Sequence, residues 1–171
     1  MQVPIMNMTP LTWPSSFVPP PPELIPLPPS PEKRSWLRKL FELFPFRLIS
    51  YGPEYCRAVD YIEKQLLARE RPDPSRWGDG LLRVDIGQRV CELIKEAYNW
   101  PNDHFLPDDR LSVVFLRPWD YDMLTVETAL ALEEDFNISE DDAMTMIWTV
   151  KTLGEMVDRL IAHLQRESNR C

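Results

Sequence analysis

Two histidines, three cysteines and several runs of carboxylates are the groups of this chain with chemistry to offer. A zinc site needs four such ligands at close, regular spacing. His104 and His163 have no cysteine or carboxylate at that spacing, and Cys56, Cys91 and Cys171 are far apart with no CxxC pair. No metal site and no disulfide framework are expected; isolated thiols in a reducing compartment fit better. Asp108-Asp109, Asp141-Asp142 and Glu133-Glu134-Asp135 supply paired carboxylates. Acid–base work by such a pair requires an environment that drives the two pKa values apart. All three runs are expected on solvated faces, where that does not happen. Five glycines form no phosphate-cradling loop, and no serine or cysteine has a base in view. The chain is therefore expected to be no enzyme and to hold no cofactor.

Charge says more about partners. The net charge of −8 argues against nucleic acid, whose binding requires cationic surface. It is also unevenly spread. Residues 33–76 carry ten Lys/Arg against six Asp/Glu, whereas residues 84–166 carry seven against seventeen. A basic middle preceding an acidic C-terminal part predicts either two units with different partners or two that attract each other.

The elements that position these groups fall into blocks. Residues 1–32 are expected to be a disordered leader, because Pro19 to Pro22 and Pro26, Pro28, Pro29 and Pro31 remove donors and disfavour helix. Such a segment favours polyproline II, with a tail or linker preferred over a ligand for an aromatic groove. Residues 33–70 form a basic, aromatic block. In KRSWLRKLFELFPFRL, Trp36, Leu40, Phe41 and Phe44 recur at helical spacing among Arg38 and Lys39. This allows a helix on an anionic membrane or one docked on the acidic part; docking is preferred. Pro53 to Arg69 follows as a helix with Tyr55, Val59, Ile62, Leu66 and Leu67 on one stripe. RPDPSRWGDG then breaks the pattern, and a linker is expected over 71–83. No stretch approaches the length of a membrane span, and the start lacks a signal-peptide pattern, so a cytoplasmic location is expected.

Residues 84–166 predict a bundle of four helices, with 167–171 as a tail. The first runs from about Ile86 to Tyr98 behind an Asp85/Gln88 capping box, with Ile86, Val90, Leu93, Ile94 and Ala97 inward. A loop to Tyr121 is so apolar (Phe105, Leu111, Val113, Val114, Phe115, Leu116, Trp119) that it must be pinned to the core. The second helix runs from about Met123 to Phe136, with Met123, Val126, Ala129, Leu130, Leu132 and Phe136 inward and Glu127, Glu133, Glu134 and Asp135 outward. Ser139 and Asp142 predict a capping box for a short third helix to about Ile147, and Thr149 an N-cap for the last. The fold class is all-α: a small four-helix bundle preceded by one or two short helices and the leader.

Here the chain resembles a known family. VETALALEEDF at 126–136, an acidic short helix, and TVKTLGEMVDRLIAHL at 149–164 are similar to helices II to IV of acyl carrier proteins, and RVCELIKEAYNWPNDHFLPDDRL at 89–111 fits their helix I and following loop. The resemblance covers about half of the chain and implies an acyl-carrier-like, phosphopantetheine-binding-like bundle. It departs at the attachment site. Carriers bear their arm on the serine of an Asp-Ser-Leu motif opening helix II; a gapless alignment places Asp122 there and Tyr121 at the aspartate. Neither Asp122 nor the neighbouring Met123 has a hydroxyl to attack coenzyme A. In this the chain resembles a serine-less bacterial subgroup of unknown function. A carboxylate at a helix start also stabilises the helix by itself, by about 0.5–2 kcal/mol.

The resemblance implies a non-catalytic interaction or regulatory module that meets a basic patch on a protein partner through Asp122, Glu127, Glu133, Glu134 and Asp135. A genuine carrier with an atypical attachment site is one alternative. A peripheral membrane adaptor acting through Trp36, Arg38, Lys39, Leu40, Phe41 and Phe44, within Trp36–Phe46, is another.

Overall fold

The computed structural model describes residues 8–14, 53–115 and 121–169, with backbone alone at 53–56 and 121–126. The described residues are helical and contain no strand; α1 spans Pro53–Ala68, α2 Leu81–Tyr98, α3 Leu111–Val114, α4 Tyr121–Phe136, α5 Glu140–Thr149 and α6 Leu153–Ser168. The chain is all-α, as its periodicity predicts. Helix α2 lies against both α4 and α6, and α4 lies against α5. Ile86, Val90, Leu93 and Ile94 of α2 are buried with Ala129 and Leu132 of α4 and with Leu153, Met156, Val157 and Leu160 of α6.

Two asparagines end helices by entering the left-handed region that a helix terminus favours: Asn99 (φ 50°) after α2 and Asn137 (φ 51°) after α4. The Asn99 and Trp100 amides return to the carbonyls of Glu96 and Lys95, satisfying acceptors that the helix end leaves open. The Ser139 hydroxyl accepts from the Asp142 amide at 3.1 Å and donates to the Asp142 carboxylate at 2.7 Å, so the expected cap of α5 is present.

Other starts differ from expectation. Helix α2 begins at Leu81 behind Gly80 with no side-chain cap, so Asp85 and Gln88 lie inside the helix rather than opening it. Thr152, not Thr149, caps α6 by accepting from the Glu155 amide. Thr149 instead donates to the Thr145 carbonyl and accepts from Arg159, because α5 continues through it.

The division into separate units also differs. Leu11 from the leader, Val59, Ile62 and Leu66 from α1, and Trp77 from the expected linker join one hydrophobic cluster with the bundle. Residues 74–77 form a 3-10 turn capped by Asp73 and preorganised by Pro74. Its Trp77 ring occupies the space beside Gly87: a Cβ there would come within 2.4 Å of it. Breaker residues thus mark a tight turn that inserts an indole into the core, not a boundary. Likewise, residues 8–14 of the leader lie against the bundle. Trp36, Arg38, Lys39, Leu40, Phe41 and Phe44 fall outside the described residues.

The apolar loop after α2 is pinned as expected. Phe105, Leu106, Leu111, Val113, Val114 and Phe115 are buried, and Phe115 meets Tyr98 edge-on at 5.1 Å between ring centroids; Leu116 and Trp119 lie outside the described residues. The Trp100 indole donates to the Val114 carbonyl at 2.9 Å.

Candidate interaction site

Two places among the described residues gather polar side chains: one on an open helix face, the other around a buried ion pair. The first is the outer face of α4. At 100° per residue, Thr128, Ala129, Leu132 and Phe136 share one side, and all four are buried. The opposite side holds Glu127, Leu130 and Glu134. Leu130 was expected to face the core, yet it is 45% exposed because it lies 160° round the helix from Leu132. Buried Thr128 takes the inward place instead. Glu127, Glu133 and Glu134 are exposed, so a leucine sits among carboxylates on an open face.

Asp135 is different. Its side chain is 23% exposed and ion-paired with Arg89 of α2, which also pairs with Glu92 at 3.1 Å. These carboxylates hold the Arg89 guanidinium protonated beyond its already high range. Asp135 therefore ties α4 to α2 and is not a free acid. Asp122 is the second residue of α4, in its first turn; its side chain lies outside what is described.

The charge order along α4 and α5 is informative. Glu133, Glu134 and Asp135 crowd the C-terminal end of α4, whose last turn holds no basic residue; Arg89 of α2 pairs Asp135 alone. The carbonyl end of a helix carries partial negative charge, so each acid there costs about 0.3–1 kcal/mol. Glu140, Asp141 and Asp142 then open α5, where acids are favoured. The result is an acidic corner spanning the 137–139 turn, half of it placed against the helix dipole.

The second place is a clasp absent from the sequence-level expectations. Asp109 was expected on a solvated face; it is 0% exposed. Its carboxylate accepts from Arg69 at 2.6 and 3.2 Å, from the Leu106 amide at 2.7 Å and from the Leu11 amide at 2.6 Å. The Arg69 side chain is 6% exposed and reaches further, to the carbonyls of His104 at 2.9 Å and Thr9 at 2.7 Å. A fork-shaped cation can serve all of these acceptors at once. His104 Nδ1 lies 2.7 Å from the Arg69 carbonyl, so that nitrogen carries the proton and donates. The Asn102 side chain donates to the Leu66 carbonyl at 2.9 Å, satisfying an acceptor at the end of α1.

Beside this ion pair, Gln65 of α1 reads the leader's backbone. Its Oε1 accepts from the Thr12 amide at 3.1 Å and the Thr12 hydroxyl at 3.0 Å, and its Nε2 donates to the Thr12 carbonyl at 2.9 Å. Leu11 and Pro14 are buried, and Trp13 packs partly against the core.

Comparison with family models, curated proteins and solved structures finds no match. The reading of both places rests on their own chemistry.

Among the described residues no group of three or more His, Cys, Asp or Glu is placed to hold a metal ion. Cys91 is buried, and desolvation, reinforced by the nearby Asp109, Asp103 and Glu92 charges, pushes its thiol well above the ordinary range. Such a thiol is a poor nucleophile. Among the described residues no helix is long and apolar enough to cross a membrane.

The clasp left a faint trace in the sequence. An apolar loop pinned to a core needs acceptors for its own buried amides. Asp108 and Asp109 are the carboxylates between Leu106 and Leu111, and Asp109 is the one that takes the Leu106 amide.

Proposed function

We propose that this chain is a non-catalytic interaction module, similar to acyl carrier proteins in helix pattern, whose acidic α4–α5 corner binds a basic patch on a protein partner. The observation that carries the reading is the exposed Leu130 between Glu127 and Glu134, next to carboxylates that oppose the α4 dipole. Leucines are exposed elsewhere in the chain, at Leu67, Leu81 and Leu82, but Leu130 alone of these lies beside acids at the destabilising end of a helix, which a merely solvated face does not need. A binding face uses both: the carboxylates steer encounter with a cationic surface, and the leucine supplies apolar area on contact. Asp122 stands where the resemblance puts the carrier serine, so the module carries no phosphopantetheine arm and works by contact alone.

The test has two parts. Intact mass is measured after co-expression with a phosphopantetheinyl transferase, and no arm is expected. Capture from the native source is then compared for the wild-type chain and the Glu127→Lys/Glu134→Lys variant. The expected result is a partner retained at low salt, released as salt rises, and not retained by the folded variant. A mass gain of one arm makes the chain a genuine carrier and sinks the proposal. Equal retention by the variant removes the acidic corner from the interface.

A further inference from the structure

The clasp treats residues 9–14 as a ligand is treated. Thr9 and Thr12 are read through backbone carbonyls, Leu11 and Thr12 through backbone amides, and the reading groups are the side chains of Gln65, Arg69 and Asp109. Arg76 adds a longer contact to the Met8 carbonyl at 3.4 Å. Only Leu11 and Pro14 of the segment are buried as side chains. Backbone hydrogen bonds for affinity and a pocket for an anchoring side chain are the features by which domains bind extended peptides.

Two of the receiving groups, Arg69 and Asp109, are moreover held independently of what they receive. The Arg69–Asp109 pair, the Leu106 amide on Asp109, the Arg69 bond to the His104 carbonyl and the Asn102 bond to the Leu66 carbonyl all lie within the bundle. Taking the segment away leaves each of these in place. The groove is therefore preorganised, which lowers the entropic cost of filling it. Residues 8–14 carry no charge, in keeping with a pocket whose buried cation and anion already neutralise each other.

We propose that the groove formed by α1 and the 102–109 loop is a binding site for an extended, uncharged peptide anchored by leucine. Thr9–Pro14 is its occupant, bound as a separable ligand and not as a fixed part of the fold. This site is separate from the acidic corner, and the proposal stands whether or not that corner binds a partner.

The experiment uses the full chain with a protease site inserted between Ser15 and Ser16, cut after folding. A fluorescein-labelled peptide of residues 7–16 is the probe, read by anisotropy. The cut chain is expected to bind it saturably. The uncut chain should bind at least ten-fold more weakly, because its tethered segment competes at an effective concentration in the millimolar range. Leu11→Asp in the peptide should weaken binding on the order of a hundred-fold. Gln65→Ala in the cut chain, with fold checked by circular dichroism, should weaken it on the order of ten-fold. A cut segment that neither leaves nor exchanges makes it a fixed part of the fold and overturns the proposal. So does a folded, segment-free chain that ignores the peptide, or equal uptake of the Leu11→Asp peptide.

Discussion

Replacing Arg69 by methionine tests the clasp most directly. The substitution keeps an unbranched apolar stem along α1 and removes the guanidinium. Asp109 then remains fully buried with the Leu11 and Leu106 amides as its donors, at 2.6 and 2.7 Å, and no counter-charge. The carbonyls of Thr9 and His104 lose a donor as well. Removing one partner of a buried ion pair costs about 3–5 kcal/mol, mainly as the penalty of the charge left behind. Against a total stability of about 5–15 kcal/mol for an ordinary domain, Arg69→Met should bring the chain close to its folding threshold. Arg69→Lys separates charge from geometry. A lysine can reach one carboxylate oxygen but cannot serve the fork of acceptors, so its loss should be smaller yet distinct. Urea unfolding followed by far-UV circular dichroism measures both, with the midpoint moving and the slope unchanged. If Arg69→Met loses less than about 1 kcal/mol, the pair is no more than a surface ion pair in effect, and the reasoning fails.

The remaining predictions concern other parts of the fold. Gly87→Ala places a methyl carbon 2.4 Å from the Trp77 ring, and the overpacking should outweigh the gain in helix propensity, for a net loss of about 1–2 kcal/mol. A thermal melt no lower than wild type would refute the fit of Trp77 to Gly87. Glu134→Lys should raise stability by about 0.3–1 kcal/mol, because it removes an acid from the carbonyl end of α4; a loss in urea titration would contradict the dipole argument. In a Cys56→Ser/Cys171→Ser background, Cys91 should react with a thiol-specific reagent at pH 8 only as fast as the protein opens. Its raised folded pKa favours the neutral thiol, so this contribution to stability is complete below the unfolded value of about 8.5 and erodes as pH rises beyond it. Labelling at the rate of a free thiol would show that the burial is wrong.

Much of the helical framework was legible because periodicity is a local signal. The stripe of α6 holds from Leu153 on: Leu153, Met156, Val157 and Leu160 are buried, with Ile161 and Leu164 packed alongside, while Val150 is buried as the residue that ends α5. Local signals are ambiguous where two of them compete. Thr149 and Thr152 are both plausible caps, and which one opens α6 depends on where α5 stops. α5 runs through Thr149, and the residues after it pair with the loop through the Arg110–Thr152 bridge and the Lys151 carbonyl accepting from Leu111. Leu130 was misplaced because a leucine in an amphipathic helix is assumed to face inward, while a threonine at 128 is not. The clasp was the least legible part. Leu11 and Asp109 are 98 residues apart, and nothing in the local pattern announces that a charge in one loop will receive an amide from the leader.

The same loop that builds the groove also starts a helix, and this coupling can be tested. The Asp109 carboxylate holds Leu11, while the Asp109 carbonyl accepts from the Leu153 amide at 3.1 Å and the Pro107 carbonyl accepts from the Gly154 amide at 2.8 Å. These are open donors of the first turn of α6, satisfied by the loop instead of by side chains alone. The approach is tight: a Cβ on residue 154 would meet the Pro107 carbonyl oxygen at 3.1 Å and the Pro107 side chain at 3.2 Å. Gly154→Ala should therefore push the loop outward by a few tenths of an ångström and carry Asp109 away from the leader. The Leu11 amide reports this, since its protection from hydrogen exchange depends on that carboxylate. In Gly154→Ala it should exchange faster than the global stability of the variant dictates. In Gly87→Ala, whose strain lies at Trp77, it should follow global stability alone. Equal behaviour of the Leu11 amide in the two variants would mean that the groove does not feel the packing of α6, and that the loop yields at Pro107 without moving Asp109.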